Sequence, residues 1–143
     1  MIVKMPLLTR TPNHELYDTN ILSELTRPAP NKGVIDWIAK VSTIYLSAIT
    51  VDEIYFGLKR RPHAKIQKWF EVYLANDCQV LPVTTEIAKY AGELRGQLSL
   101  KGQVRSQADM LIAATAFVHG LRLVTRNERD FQDCNIVVIN PFC

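Results

Sequence analysis

The chain has 143 residues, of which 48% are hydrophobic and 22% are charged, and its formal net charge is +3. This composition fits one globular domain with a single apolar core, and the mild basic bias is compatible with nucleic-acid binding without requiring it. The longest apolar runs are far shorter than the roughly 20 residues that span a bilayer, which excludes a transmembrane segment.

Cysteine and histidine usage argues against a site built on thiols or imidazoles. The three cysteines are odd in number and lack C-x-x-C spacing, so we expect reduced thiols in a cytoplasmic protein rather than disulfides or a zinc site. The histidines, His14, His63 and His119, are scattered along the chain, which favours surface or helix-end positions.

The first residues differ from the rest of the chain. The segment MIVKMPLLTRTPNH has a lysine inside its apolar part and no small-residue cleavage site, which argues against a signal peptide. We interpret residues 1–14 as a poorly ordered N-terminal extension, with Met5 as an alternative start. Residues 15–143 are interpreted as a single domain.

Strand and helix patterns alternate through this domain. Apolar and β-branched runs predict strands over residues 15–18, 43–49, 79–83, 121–126 and 135–140. Helical spacing of apolar residues predicts helices over residues 19–25, 33–40, 51–60, 63–75, 85–100 and 106–120, and one further turn over 127–131. Gly120 fits the C-terminal cap of the last of these helices. The alternation predicts an α/β fold, with a parallel sheet of about five strands and helices on both faces. In such sheets the working site lies beyond the carboxyl ends of the strands.

The boundary between the second strand and its helix concerns a candidate site residue. The run TIYLSAI predicts a strand that ends near Ala48 or Ile49. Thr50 is then interpreted as the helix N-cap, and Glu53, three residues later, as its capping-box partner.

Four acids fall where this architecture gathers them. Asp18 closes the first strand, and Glu53 lies in the first turn of the helix after the second strand. Asp109 lies in the first turn of an alanine-rich helix, and Asp130 follows the fourth strand. Each acid alone fits an ordinary position near a helix N-terminus, where the dipole stabilises it by about 0.3–1 kcal/mol.

Taken together, the acids point to a bound cation. Four converging carboxylates would repel one another and raise their pKa values, and a divalent cation removes that repulsion. Ligands that are all oxygen favour Mg²⁺ or Mn²⁺ over zinc. Asn20 and Thr125 fit neutral contacts to a water or substrate at this site, and they fit ordinary turn and cap positions equally well.

Four sequence blocks that contain these acids resemble the signature blocks of the PIN domain, most closely those of VapC-type toxins and their FitB-like subgroup. The blocks are YDTNILSEL, SAITVDEIYFGL, ADMLIAATA and LVTRNERDF. In order, they carry Asp18 and Asn20, then Glu53 and Gly57, then Asp109, and then Thr125, Arg126, Asn127 and Asp130. The resemblance runs from about Glu15 to Phe142, and it departs from the family at the polar segments PNHELY and KGQVRSQ. The segment KGQVRSQ, which carries Arg105, fits either a substrate-facing loop or a solvated connection, and the solvated connection is the preferred interpretation.

The resemblance implies a three-layer PIN-like fold and a Mg²⁺-dependent endoribonuclease, with Mn²⁺ as a substitute, that acts as the toxin of a bacterial type II toxin–antitoxin pair. It implies that Asp18 and Asp109 are the primary metal ligands. Glu53 and Asp130 would complete the catalytic cluster directly or through water. The implied partners are an RNA substrate, a second copy in a homodimer, and a small antitoxin that blocks the acidic pocket and alone contacts operator DNA; no membrane is involved.

Basic and aromatic residues add weaker expectations. Arg126 has the best claim to a phosphate contact because it sits beside Thr125 at a strand exit, whereas a solvated surface is the preferred interpretation for the other basic candidates, Lys59, Arg60, Arg61, Arg105 and Arg122. An aromatic face fits either a partner surface or the core, and it comprises Tyr55, Phe56, Trp69, Phe70 and Tyr73.

Two other functions compete with the ribonuclease. In one, the protein is a non-catalytic partner in a DNA-binding toxin–antitoxin repressor complex, and the acids serve only as structure or as a vestigial metal site. In the other it is a phosphate-handling α/β protein such as a phosphotransfer receiver. That class needs clustered N-terminal acids and a lysine late in the sheet, which the sequence lacks.

Overall fold

The computed structural model describes residues 14–143, so the expectation for residues 1–14 lies outside the described residues, His14 excepted. The strands are β1 (Glu15–Tyr17), β2 (Ile44–Ser47), β3 (Cys78–Leu81), β4 (Arg122–Val124) and β5 (Val138–Ile139). The α-helices are α1 (Thr19–Leu25), α2 (Lys32–Ile38), α3 (Ala48–Arg60), α4 (Ala64–Asn76), α5 (Thr85–Leu100) and α6 (Gln107–His119), and a 3-10 turn spans Glu128–Phe131. None of the helices in this part of the chain has both the length and the apolar character that crossing a membrane requires.

The strands form one parallel sheet in the order β3-β2-β1-β4-β5. The chain moves outward from β1 to β2 and β3, and then crosses to the opposite side of β1 to form β4 and β5. The strand order therefore reverses at β1. Ligands bind in such sheets at the crevice beyond the carboxyl ends of the strands at this reversal. The expected five-stranded parallel sheet is confirmed.

Two apolar clusters cover the two faces of the sheet. Leu16 of β1 and Leu123 of β4 pack under α5 and α6. The next residue of each strand, Tyr17 and Val124, points to the opposite face and packs with residues of α1 to α4, including Phe70. Successive side chains of a strand alternate between faces, so each central strand supplies both layers of core. The result is the three-layer arrangement that the sequence predicted.

Helix α6 packs tightly because small side chains line it. Ala113, Ala114 and Ala116 are fully buried, and α6 lies directly against α5. Gly120 ends the helix in the left-handed conformation, with a φ of 66°. A residue without a Cβ adopts this conformation at little cost, so the C-terminal cap expected at this position is confirmed.

The predicted boundary between β2 and α3 is wrong. β2 ends at Ser47, whose hydroxyl accepts a hydrogen bond from the Ile49 N–H at 3.0 Å and makes Ser47 the N-cap. Thr50 is buried inside the helix, and Glu53 lies in its second turn, so these two residues do not form a capping box. The apolar run read as strand continues into the helix because β2 pairs with β3 only as far as Ser47 and Leu81. Pro82 follows Leu81 and has no N–H to extend the ladder.

The polar first strand is accommodated by a cross-strand ion pair. Glu15 is 2% exposed, lies opposite Arg122 of β4, and accepts a hydrogen bond from its guanidinium. A buried carboxylate needs such a partner because burial in a low-dielectric interior is otherwise costly. The expectation that Arg122 is an ordinary solvated residue is therefore wrong.

The aromatic face of α3 and α4 is partly core and partly surface. Phe70 is fully buried and packs at a tilt against Tyr55, with ring centroids 5.7 Å apart. Trp69 stacks on Tyr73 at 4.8 Å but stays 36% exposed, and Phe56 is 61% exposed. Phe70 and Tyr55 thus serve the intramolecular core, while Phe56 and Trp69 remain available to a partner.

Candidate active site

Asp18 occupies the central position of the site, directly after β1. Its Oδ1 accepts a hydrogen bond from the Thr19 N–H at 2.8 Å and caps α1. Its Oδ2 accepts from the Thr125 hydroxyl at 2.8 Å and from the Asn20 side-chain amide at 3.2 Å. The residue is 4% exposed. Asp18 is therefore an N-cap, as the ordinary interpretation held, but its second oxygen is held by one residue of α1 and one residue of the loop after β4.

Thr125 and Asn20 join the first turn of α1 to the loop after β4. The buried Thr125 hydroxyl accepts from the Asn127 N–H at 3.0 Å and from the Asn20 amide at 3.2 Å. The Asn20 carbonyl oxygen accepts from the Arg126 N–H at 3.2 Å. These two neutral residues thus hold Asp18 in one orientation.

Glu53 reaches the same edge from α3. Its Oε1 accepts a hydrogen bond from the Thr19 hydroxyl at 2.6 Å, and this hydroxyl also lies 3.2 Å from that of Thr50. Thr19 was missed by the sequence reasoning. The signal in the sequence was its place directly after Asp18, at the start of a predicted helix. In the structure this helix packs against α3.

Asp109 and Asp130 approach from the opposite side of β1. Asp109 lies in the first turn of α6, where Ser106 is the N-cap and its hydroxyl accepts from the Asp109 N–H at 3.0 Å. Asp130 lies in the exposed 3-10 turn after β4. Among residues 14–143, no side chain or backbone group hydrogen-bonds the Asp130 carboxylate, so the backbone of the turn determines where this carboxylate lies.

The electrostatics connect all four acids. Burial raises the pKa of Asp18 to about 6 and outweighs the hydrogen bonds from Thr125 and Thr19, and the charges of Asp109 and Glu53 raise it further. Burial also raises the pKa of Asp109, and the charges of Asp130 and Glu53 add to this effect. Acids that act only as separate helix caps would not repel one another in this way. The structure therefore brings the four predicted residues into one electrostatic cluster.

The cluster fits a hydrated divalent cation better than a fully protein-ligated one. Within residues 14–143, no three His, Cys, Asp or Glu side chains stand close enough together to ligate one ion jointly. Mg²⁺ commonly binds through one or two carboxylates and keeps several of its waters. Direct contacts from two acids, with the other two acting through water, suit the absence of a three-ligand cluster among residues 14–143.

The basic candidates occupy different environments in the structure. The Arg126 guanidinium lies over the Phe142 ring, 4.6 Å from its centroid, at the exit of β4. Arg61 lines a surface groove that also contains Glu53. Arg105 donates to backbone carbonyls, so the solvated role expected for it is wrong.

Comparison with known families identifies the architecture. The family model of the PIN domain matches residues 16–136. The chain belongs to the PIN-domain family. The match includes Asp18, Glu53, Asp109 and Asp130, and the expected family is confirmed.

Relatives of this PIN-domain protein carry toxin and ribonuclease names. It is 36% identical over 133 residues to VapC ribonuclease Y4jK from Sinorhizobium fredii, which covers 87% of this chain and 95% of the relative. It is 32% identical over 137 residues to toxin FitB from Neisseria gonorrhoeae, which covers 89% and 97%. The solved structure of FitAB bound to an IR36 DNA fragment aligns with a TM-score of 0.73 at 31% identity and covers 88% of this chain and 94% of the other.

Proposed function

We propose that this PIN-domain protein is a Mg²⁺-dependent endoribonuclease, the toxic member of a type II toxin–antitoxin pair. The observation that carries the proposal is the position of Asp18, Glu53, Asp109 and Asp130 at the carboxyl edge of the sheet, where burial, and to a smaller extent the charges of neighbouring acids, raises the pKa of Asp18 and of Asp109. RNA as the substrate class is supported by the relative named as a ribonuclease.

In this proposal Asp18 and Asp109 hold the cation, because their carboxylates carry the raised pKa values that a positive charge would relieve. When bound, a divalent cation supplies Lewis acidity, which neutralises phosphate charge and makes water a better nucleophile at neutral pH. Mn²⁺ prefers the same oxygen ligands and is expected to substitute.

The remaining residues orient water and substrate. Glu53 and Asp130 accept hydrogen bonds from water in the site, and Glu53 is held by the Thr19 hydroxyl. Asn20 and Thr125 keep the Asp18 carboxylate in one orientation. Arg126 lies at the rim, on Phe142, where its guanidinium can contact a phosphate that flanks the cleaved bond.

A groove beside the site is the surface at which we expect the antitoxin to bind. The groove has a volume of about 400 Å³ and lies among α1, α3 and α4. Most of its lining is apolar, including Leu22, Leu58 and the half-exposed Trp69, and Glu53 is one of its members. An antitoxin segment with apolar side chains would bury this surface and cover Glu53. Any operator DNA would then be contacted through the antitoxin.

A homodimer and a cytoplasmic location complete the proposal. Leu100 and Val104 are each 90% exposed at the connection between α5 and α6, where a second copy would shield them. The three cysteines are free thiols, which suits a reducing compartment.

RNA cleavage by the purified protein tests the proposal. Cleavage should require Mg²⁺ or Mn²⁺, stop with EDTA, and disappear in Asp18→Asn. Asp36→Asn is the matched control because Asp36 is an exposed acid paired with Lys32 on α2, away from the sheet edge. Undiminished cleavage in EDTA, or by Asp18→Asn, would contradict the mechanism. A protein that binds its antitoxin but cleaves no RNA would instead support the non-catalytic repressor partner.

A further inference from the structure

Arg105 ties together two segments that carry acids of the cluster. It lies in the connection between α5 and α6. Its Nη1 donates to the backbone carbonyls of Asp130 and Gln132, each at 2.9 Å. Its Nη2 donates to the Gln103 side-chain oxygen at 3.0 Å. One planar guanidinium therefore spans two carbonyls of the turn after β4 and is itself braced from its own loop.

The turn that carries Asp130 has few other supports at its end. Inside it, the Asp130 N–H donates to the Asn127 carbonyl at 3.1 Å, and the Gln132 N–H donates to the Arg129 carbonyl at 3.4 Å. Bonds of this 3-10 type are poorly aligned and short-lived in isolation. The buried Phe131 ring anchors the turn from below. Arg105 is thus the contact that fixes the carbonyl of Asp130 itself.

The same connection leads directly into α6. Arg105 precedes Ser106, the N-cap that receives the Asp109 N–H. The guanidinium therefore links the element that carries Asp109 to the element that carries Asp130, and these acids sense each other's charge. A lysine would not reproduce this link because it has no second nitrogen to donate to Gln103 while the first donates to the two carbonyls.

We propose that Arg105 is a positioning residue that holds the Asp130 carboxylate in register with Asp109. This inference rests on the proposed ribonuclease function and extends it to a residue outside the acidic cluster. Arg105 acts through Asp130, because Nη1 donates to the Asp130 and Gln132 carbonyls and Nη2 donates to the Gln103 side chain.

A double-mutant cycle tests this role. Cleavage rates at saturating Mg²⁺ are measured for wild type, Arg105→Ala, Asp130→Asn and the double variant, together with melting curves. Loss of a residue that orients a group at a metal site commonly costs about 10–100-fold, so Arg105→Ala should lower the wild-type rate by at least about 10-fold. In the Asp130→Asn background the same change should cost less than about 2-fold, because residues that act through one another are not additive.

Two further variants make the cycle decisive. Arg95→Ala is the matched control. Arg95 lies on α5 and lines one surface depression together with Arg105, and its replacement should keep the wild-type rate. Arg105→Lys replaces Arg105→Ala in the cycle should the alanine variant not fold, and the same non-additive result is expected. An equal loss in both backgrounds, or no loss in the wild type, would overturn the inference.

Amide hydrogen exchange separates this inference from the proposed function. A wild-type protein that cleaves no RNA would count against the ribonuclease. The role of Arg105 is then decided by exchange at the Asp130 and Gln132 amides, which Arg105→Ala should accelerate while the Met110 amide in α6 stays protected. Unchanged exchange at Asp130 and Gln132 would overturn the positioning role.

Discussion

Replacing Asp18 with asparagine should make the metal-free protein relatively more stable as the pH rises. The ordinary pKa of an aspartate is 3.8, and burial raises that of Asp18 to about 6. Between these two values the folded protein keeps a proton that the unfolded chain has released. The free energy of unfolding of the wild type therefore falls as the pH rises from about 4 to about 6, and this contribution is fully present only below about pH 4.

The magnitude follows from the difference between the two pKa values. Each pH unit of difference corresponds to about 1.4 kcal/mol, so the difference between the two pKa values is worth about 3 kcal/mol in all, of which about 2.5 kcal/mol is lost from the free energy of unfolding between pH 4 and pH 7. Asparagine does not ionise, so the free energy of unfolding of the variant does not fall in this way as the pH rises. It also alters the hydrogen bond from Thr125, but that cost is the same at every pH and cancels when the pH dependence is compared.

The assay is urea unfolding in EDTA at several values from pH 4 to pH 7. The stability of Asp18→Asn minus that of the wild type should rise by about 2.5 kcal/mol across this range. The matching difference for Asp36→Asn should change by less than about 0.5 kcal/mol, because Asp36 is an exposed residue in a surface pair. A flat or falling difference for Asp18→Asn would show that Asp18 ionises normally in the fold, and would refute the clustered site. Mg²⁺ at about 100 times its dissociation constant should stabilise the wild type by about 2.7 kcal/mol at pH 7 and leave Asp18→Asn unchanged.

Three other substitutions test the site. Glu53→Gln should fold normally and lose about 10²-fold or more in RNA cleavage at saturating Mg²⁺, since it keeps the shape but not the charge. Asp52→Asn, at an exposed neighbouring residue, is the control. Wild-type cleavage by Glu53→Gln would remove Glu53 from the site. Asp109→Asn should abolish cleavage. Because it removes a repulsion, it should leave the melting temperature of the metal-free protein unchanged or raised. A large loss of stability would instead favour a purely structural helix-end role. Thr19→Val should lower the cleavage rate by about 10-fold, whereas Thr19→Ser keeps the hydroxyl on Glu53 and most of the rate; equal rates for the two variants would show that this hydrogen bond does not matter.

Local pattern was sufficient for the order of the elements and for the edge of the sheet at which the acids lie. Apolar runs and helical spacing depend on neighbouring residues, so β1, the alanine-rich α6 and its cap at Gly120 could all be predicted. Asp18 and Asp109 could be placed because each stands beside an element end that is visible in the sequence. The parallel sheet followed from the alternation of strands and helices.

Contacts between distant segments were decided only by the tertiary structure. Ile49 suits a strand by its branched side chain, but strand pairing stops at Ser47 and the helix begins there. The hydrogen bond from Thr19 to Glu53 joins residues 34 positions apart, and the one from Arg105 to Asp130 joins residues 25 apart. Short-range periodicity carries no information about such partners, because they meet only after the helices have packed on the sheet. The sequence by itself thus determined which acids reach the edge of the sheet, and the packing decided which neutral and basic residues hold them there.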